Sequence, residues 1–148
     1  KDPAYYNNTN STYTFANGQV TESWGTATPK QLEDEDAVDE DGENILDADG
    51  NQVINYGLKT EKKKIVKEQA SGLLEKTDWH NHKALDDDTY TIPENIKTYR
   101  ANVRSKSNEM ETQIDACTNV DELKALYEYT RQEDGTQTRP LAEFPEEI

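Results

Sequence analysis

Cysteine is nearly missing from this chain: Cys117 is the only one in 148 residues. An internal disulfide and a cysteine-rich metal site are therefore excluded. Cys117 itself reads as a small buried hydrophobe rather than a reactive thiol. Long apolar runs are missing too. No window approaches the roughly 18 apolar residues that would mark a membrane-spanning helix, and no signal-peptide core is visible. The sequence opens on Lys1 rather than Met, which leaves a preceding segment open. Bases are scarce: 16 Lys and Arg stand against 31 Asp and Glu, a net charge of −15, and the isoelectric point is about 4.4. That balance argues against a nucleic-acid partner, which asks for a basic stripe, and against a membrane-surface helix, which asks for a basic face. Only 32% of residues are hydrophobic and the mean hydropathy is −1.11. So thin a supply of core predicts a compact helical part joined to extended chain.

What is present divides near Gly57. Residues 1–56 hold two bases, Lys1 and Lys30, against twelve acids; residues 57–148 hold fourteen against nineteen. The first part is predicted to be an acidic arm of hairpins. Tyr13-Thr14-Phe15 and Val20-Thr21-Glu22-Ser23-Trp24 flank Asn17-Gly18, a strong hairpin signal between β-prone runs. Residues 25–44, with Pro29 and the acidic stretch 33–43, read as a solvated linker. Ile45-Leu46 and Val53-Ile54 around Asp47 to Asn51 read as a second hairpin.

Beyond Gly57 the apolar period changes. Val66, Ala70, Leu73 and Leu74 lie on one face of a helix expected over 60–76. Its first turn carries Lys62, Lys63 and Lys64, the wrong sign for a helix N-terminus, so either the helix starts earlier or these lysines face the acidic 33–49 run, in the fold or in a partner. A polar connection is expected from Trp79 to Tyr90. Thr91-Ile92-Pro93-Glu94 suits a helix start, with Thr91 as cap and Glu94 reaching back. Ile96, Tyr99, Val103, Met110, Ile114 and Cys117 then follow a 3-4 spacing, broken once at Lys106-Ser107, over 93–117. A third, shorter helix should begin at Asn119, capped by it and reciprocated by Glu122. An extended tail is expected from 133 to 148. The fold class expected is therefore α+β: a small bundle of two long antiparallel helices and a short third, with an N-terminal β-hairpin arm.

No constellation points firmly to catalysis. The acidic loops around Gly42 and Gly50 do not fit a calcium loop. With either glycine at position 6, position 1 is Ala37 or Ile45 and position 12 is Ala48 or Tyr56. Asp78, His80 and His82 would be the nucleus of a metal-dependent enzyme, but no Cys or third His supports them, and a solvated loop is the plainer reading. There is no nucleophile elbow, P-loop or Rossmann glycine pattern, and little apolar material to wall a pocket. The chain is read as non-catalytic, without cofactor or metal.

A different set of residues is more informative. Leu73-Leu74 precedes Thr77-Asp78-Trp79, and Tyr99-Arg100 precedes Val103-Arg104. In antiparallel helices Trp79 and Tyr99 come close, either as core or as part of a partner surface. Arg100 and Arg104, one turn apart, form a fork for carboxylates or an aromatic ring; alternatively they pair with Asp78 or Glu109. Trp79, Tyr99, Arg100 and Arg104 are the candidate partner-binding residues.

The segments Leu73-Leu74-Glu75-Lys76-Thr77-Asp78-Trp79 and Tyr99-Arg100-Ala101-Asn102-Val103-Arg104 resemble the bacteriophage tail-fibre assembly chaperone and tail-assembly chaperone families. The resemblance covers about residues 57–144, including Ile92-Pro93 and the segment from Arg139 to Pro145. The proline-bearing stretch usual after the Tyr-Arg helix is lacking here. The resemblance implies a non-catalytic protein that binds a phage tail fibre or another tail protein, aids its folding or trimerisation in the host cytoplasm, and either leaves or stays on the particle. A permanent structural protein of the tail or baseplate is the alternative it leaves open.

Overall fold

The computed structural model describes residues 1–148. The protein is mixed α+β, with four helices and several short two-stranded sheets. It divides into two compact units, Lys1–Leu58 and Lys59–Ile148.

In the first unit, β1 (Tyr6–Asn7) is one partner of a short pair completed further along the chain. β2 (Ser11–Ala16) and β3 (Gln19–Trp24) form a hairpin with Ala16 opposite Gln19 and Ser11 opposite Trp24. Asn17 and Gly18 have φ of +52° and +76°, the two left-handed residues that a primed two-residue turn demands. β4 (Thr28–Pro29) then pairs with β1, burying Tyr5 and Tyr6.

The acidic stretch is not the solvated linker expected. β5 (Glu35–Asp36) pairs with β6 (Ile54–Asn55), and between them runs an eight-residue repeat. Ala37 N–H donates to Val53 O at 2.8 Å, Ile45 N–H to Ala37 O at 2.9 Å, and Val53 N–H to Ile45 O at 2.9 Å, closing a three-membered ring. From each ring residue leaves one antiparallel bridge: Val38 with Asn44, Leu46 with Gln52, and Asp36 with Ile54. The result is a three-armed junction in place of a single second hairpin. Each loop is tied by one aspartate. Asp39 Oδ1 accepts from Asp41 and Glu43 N–H, and Asp47 Oδ1 from Asp49 and Asn51 N–H. The N–H of Asn51, followed by its side-chain amide, holds the Asp47 carboxyl below the usual range. These acids are turn-formers satisfied by backbone. Such arms are too short for a period-two pattern, so only the repeat itself marks them. Gly57 closes the unit: a Cβ there would lie 2.3 Å from Glu33 O.

α1 spans Leu58–Glu75, α2 Asp78–Asp86, α3 Glu94–Ala116 and α4 Val120–Leu126. α2 replaces the polar connection expected between Trp79 and Tyr90; with only Trp79, Ala84 and Leu85 as apolar residues it has no readable stripe. α1 starts at Leu58, earlier than expected, with Glu61 in its first turn, and three of its lysines reach α3. Lys63 pairs with Asp115 at 2.7 Å, Lys67 with Glu111 at 3.2 Å, and Lys59 donates to Asp115 O at 3.0 Å. These cations sit at the C-terminal end of α3, where the helix dipole favours them. At the other end Arg100 reaches Leu74 O, so α1 and α3 run side by side in opposite directions. Ala70, Tyr99 and Val103 form a core cluster, with Leu73, Leu74 and Phe144 packed on it. The break in the α3 spacing is filled by Ser107, which is buried and donates to Glu111 at 3.4 Å.

Two helix starts depart from expectation. Pro93, not Thr91, is the residue preceding α3, and no side chain caps that end. At α4, Asn119 does cap, accepting from Glu122 N–H at 2.9 Å. Glu122 reciprocates chiefly on Thr118 N–H, at 2.7 Å, with only a minor contribution from that of Asn119. The Thr118 N–H and hydroxyl draw the Glu122 carboxyl below its ordinary 4.5. A depressed carboxyl stabilises the fold above its unfolded value, and the contribution is lost as pH falls through the folded value. Glu122→Gln is therefore expected to lower Tm at neutral pH. The gap to the parent should close as thermal melts are taken further below pH 4.5; a pH-independent gap would rule out the charge as the cause.

The C-terminal segment is docked rather than a free tail. β7 (Thr130–Arg131) and β8 (Gln137–Thr138) form a small hairpin. Leu141 is then buried and donates its N–H to Leu126 O at 3.0 Å. Gln113 of α3 brackets this strap, donating to Pro140 O at 3.0 Å and accepting Ala142 N–H at 2.8 Å. Cys117 is buried, and desolvation pushes its thiol up.

Candidate functional site

The turn between α1 and α2 joins the two motif halves. Thr77 is buried and folds back, its N–H and hydroxyl both donating to Leu74 O at 3.0 Å. Asp78 opens α2, where a carboxylate complements the dipole. Arg100 reaches both from α3. Its Nη1 lies 2.8 Å from Leu74 O and 2.7 Å from Thr77 Oγ1, and its Nη2 lies 2.7 Å from Asp78 Oδ1. One planar guanidinium thus satisfies a carbonyl at the end of α1, a hydroxyl and a carboxylate, a geometry suited to arginine.

The outward fork of Arg100 and Arg104 does not form. Arg100 is buried at 7% exposure; Arg104 is exposed and donates to Arg100 O at 3.4 Å. One helical turn separates them, but the Leu74–Thr77–Asp78 acceptors draw only Arg100 inward. Tyr99 is core, packed with Ala70 and Val103.

Trp79 pairs with different rings from the one expected. It is 52% exposed and stacks on His80 with centroids 3.7 Å apart and planes at 26°. Its other ring neighbour is Tyr90, at 6.4 Å, rather than Tyr99. His80 is buried and hydrogen-bonded through Nδ1 to the Tyr90 hydroxyl. Lys83 Nζ sits 4.4 Å from the Tyr90 centroid, a cation–π contact. Tyr90 is brought there by a turn in which Asp87 accepts the Thr89 hydroxyl at 2.6 Å and N–H at 3.0 Å. Those two bonds, hydroxyl first, hold the Asp87 carboxyl below the usual range. The indole is therefore presented on a braced base: ring stacking behind it, the Arg100 clamp beneath its backbone.

Helix α2 does not bring Asp78, His80 and His82 to one point. Two residues along a helix turn the direction by about 200°, so His80 and His82 point apart. Asp78 is committed to Arg100 and His80 to Tyr90. Thr77 was legible only as part of the motif and His80 only as a possible metal residue, and Tyr90 only as the end of a connection, because their roles here depend on an unpatterned helix. No protein-family model, curated protein or solved structure matches this chain. No helix is long and apolar enough to cross a membrane.

Proposed function

We propose that this chain is a non-catalytic bacteriophage tail-fibre assembly chaperone or fibre-associated protein. Two things support the reading: the resemblance over residues 57–144, and the presentation of a half-exposed Trp79 on a braced stack of His80 and Tyr90. A large amphipathic ring held rigid at the surface is the type of group that anchors protein interfaces, since little side-chain freedom is lost on contact. In this reading Trp79 and Arg104 meet the fibre, while Tyr99 and Arg100 hold them from within. The helices act as a small bundle bearing the contact face, and the N-terminal hairpins act as an arm.

The test is co-expression with the tail-fibre gene of the same genome, followed by pull-down and assay of soluble fibre trimer. The fibre is expected to be soluble only alongside this chain. Trp79→Ala is expected to weaken the complex by about thirtyfold or more, with the helical circular-dichroism signal unchanged. A fibre that folds alone and does not bind overturns the proposal. Stoichiometric recovery of this chain from finished particles would instead make it a permanent structural component of the tail.

A further inference from the structure

The β2–β3 hairpin is unlike the rest of the molecule. Its register places Ser11, Tyr13, Phe15, Val20, Glu22 and Trp24 on one face. Tyr13, Phe15, Val20 and Trp24 are 67%, 75%, 68% and 66% exposed. The other face is Thr12, Thr14, Ala16, Gln19, Thr21 and Ser23. The sheet has two strands only, and no other strand takes either edge. A two-stranded hairpin standing alone is marginal in water; three or more strands with an apolar face are needed for independent stability. The β2 edge is also undefended. Natural edge strands are blunted by lysine, proline or bulges, yet β2 reads Ser-Thr-Tyr-Thr-Phe-Ala, without a charge, a proline or a register break.

We propose that β2 is a self-association edge: two copies of this chain pair β2 with β2 antiparallel, making one four-stranded sheet with a continuous aromatic face. Charge selects the occupant. The whole chain carries −15, but residues 1–30 hold only Lys1, Lys30, Asp2 and Glu22 and are neutral, so two copies of this segment meet without net charge repulsion between them. Charge also selects the edge. Pairing through β3 brings the two Glu22 carboxylates together. Pairing through β2 leaves them three strand spacings apart, about 14 Å, beyond the Debye length of roughly 10 Å at moderate salt.

Register follows from the turn. In a two-residue loop the flanking pair, Ala16 and Gln19, is hydrogen-bonded, so pairing alternates and Ser11, Tyr13 and Phe15 aim their N–H and C=O groups outward. Antiparallel pairing centred on Tyr13 sets Ser11 against Phe15 of the second copy and uses all three. It also sets Thr12 directly across from Thr14, with Cβ atoms about 5 Å apart.

Sedimentation velocity of the full chain over a wide concentration range tests this. A dimer is expected that grows with concentration and strengthens with salt as the net charge is screened. Thr12→Lys with Thr14→Lys places like charges across the edge and leaves the aromatic face intact. It is expected to raise the dimer dissociation constant at least tenfold. Thr21→Lys with Ser23→Lys, on the far strand of the same polar face, is expected to leave it within a fewfold. A parent chain that stays monomeric, a dimer indifferent to the β2 lysines, or equal loss in both variants would each overturn the proposal.

Discussion

Replacing Arg100 by methionine is expected to destabilise the helical unit by about 1–3 kcal/mol, the cost of removing a charged hydrogen-bond donor from buried acceptors. The Arg100 side chain is 9% exposed and that of Asp78 is 45% exposed. Losing the guanidinium removes one of three donors from Leu74 O, which keeps the Thr77 N–H and hydroxyl, and takes from Thr77 Oγ1 the donor it accepts from; a buried acceptor left without its donor costs about 1–3 kcal/mol. Asp78 can recover water, so it contributes less to the loss. The order of effects follows. Arg100→Met should be the most damaging. Arg100→Lys should be intermediate, because one ammonium cannot serve three acceptors in that plane. Asp78→Asn should be mildest. Urea unfolding followed by circular dichroism reads the series as a falling midpoint at constant slope. An Arg100→Met midpoint equal to that of the parent would show that the clamp does not hold the α1–α2 turn.

Leu141→Ala is expected to cost about 2–5 kcal/mol, the range for emptying a fully buried leucine site, since Leu141 is 2% exposed. The residue anchors a strap otherwise held by two Gln113 bonds, the Leu141 N–H bond and the packing of Phe144. Local loss should exceed global loss. Hydrogen exchange at the Leu141 and Ala142 amides is expected to speed up more than exchange in the middle of α3. Uniform acceleration across α3 would mean that the strap and the helices unfold as one unit.

Features governed by local chemistry were legible from the chain alone. The Asn17-Gly18 turn has left-handed φ at both positions. The apolar spacings of α1 and α3 translate into the buried Val66, Ala70, Val103, Met110 and Ile114. Asn119 caps α4. What escaped local rules had no pattern to read. α2 has two large apolar residues in nine. The arms of the acidic junction hold one or two bridges each, and its order comes from a ring linking residues eight and sixteen apart. The strap is short and polar-flanked, and its docking is visible only in tertiary contacts, the Gln113 bracket and buried Leu141.

The candidate site divides in the same way. Sequence by itself singled out Trp79, Tyr99, Arg100 and Arg104, because aromatic and guanidinium groups at helical spacing are chemically conspicuous. It also set the charge: −15 overall, with residues 1–30 neutral. Which of those four side chains face solvent was decided by tertiary structure alone. Arg100 and Arg104 are the same residue type one turn apart, yet one is buried and the other exposed. The difference is where acceptors converge. Leu74 O, Thr77 Oγ1 and Asp78 Oδ1 meet at Arg100 only once α1 has turned into α2 beside α3, and no spacing along a single helix records the position of another.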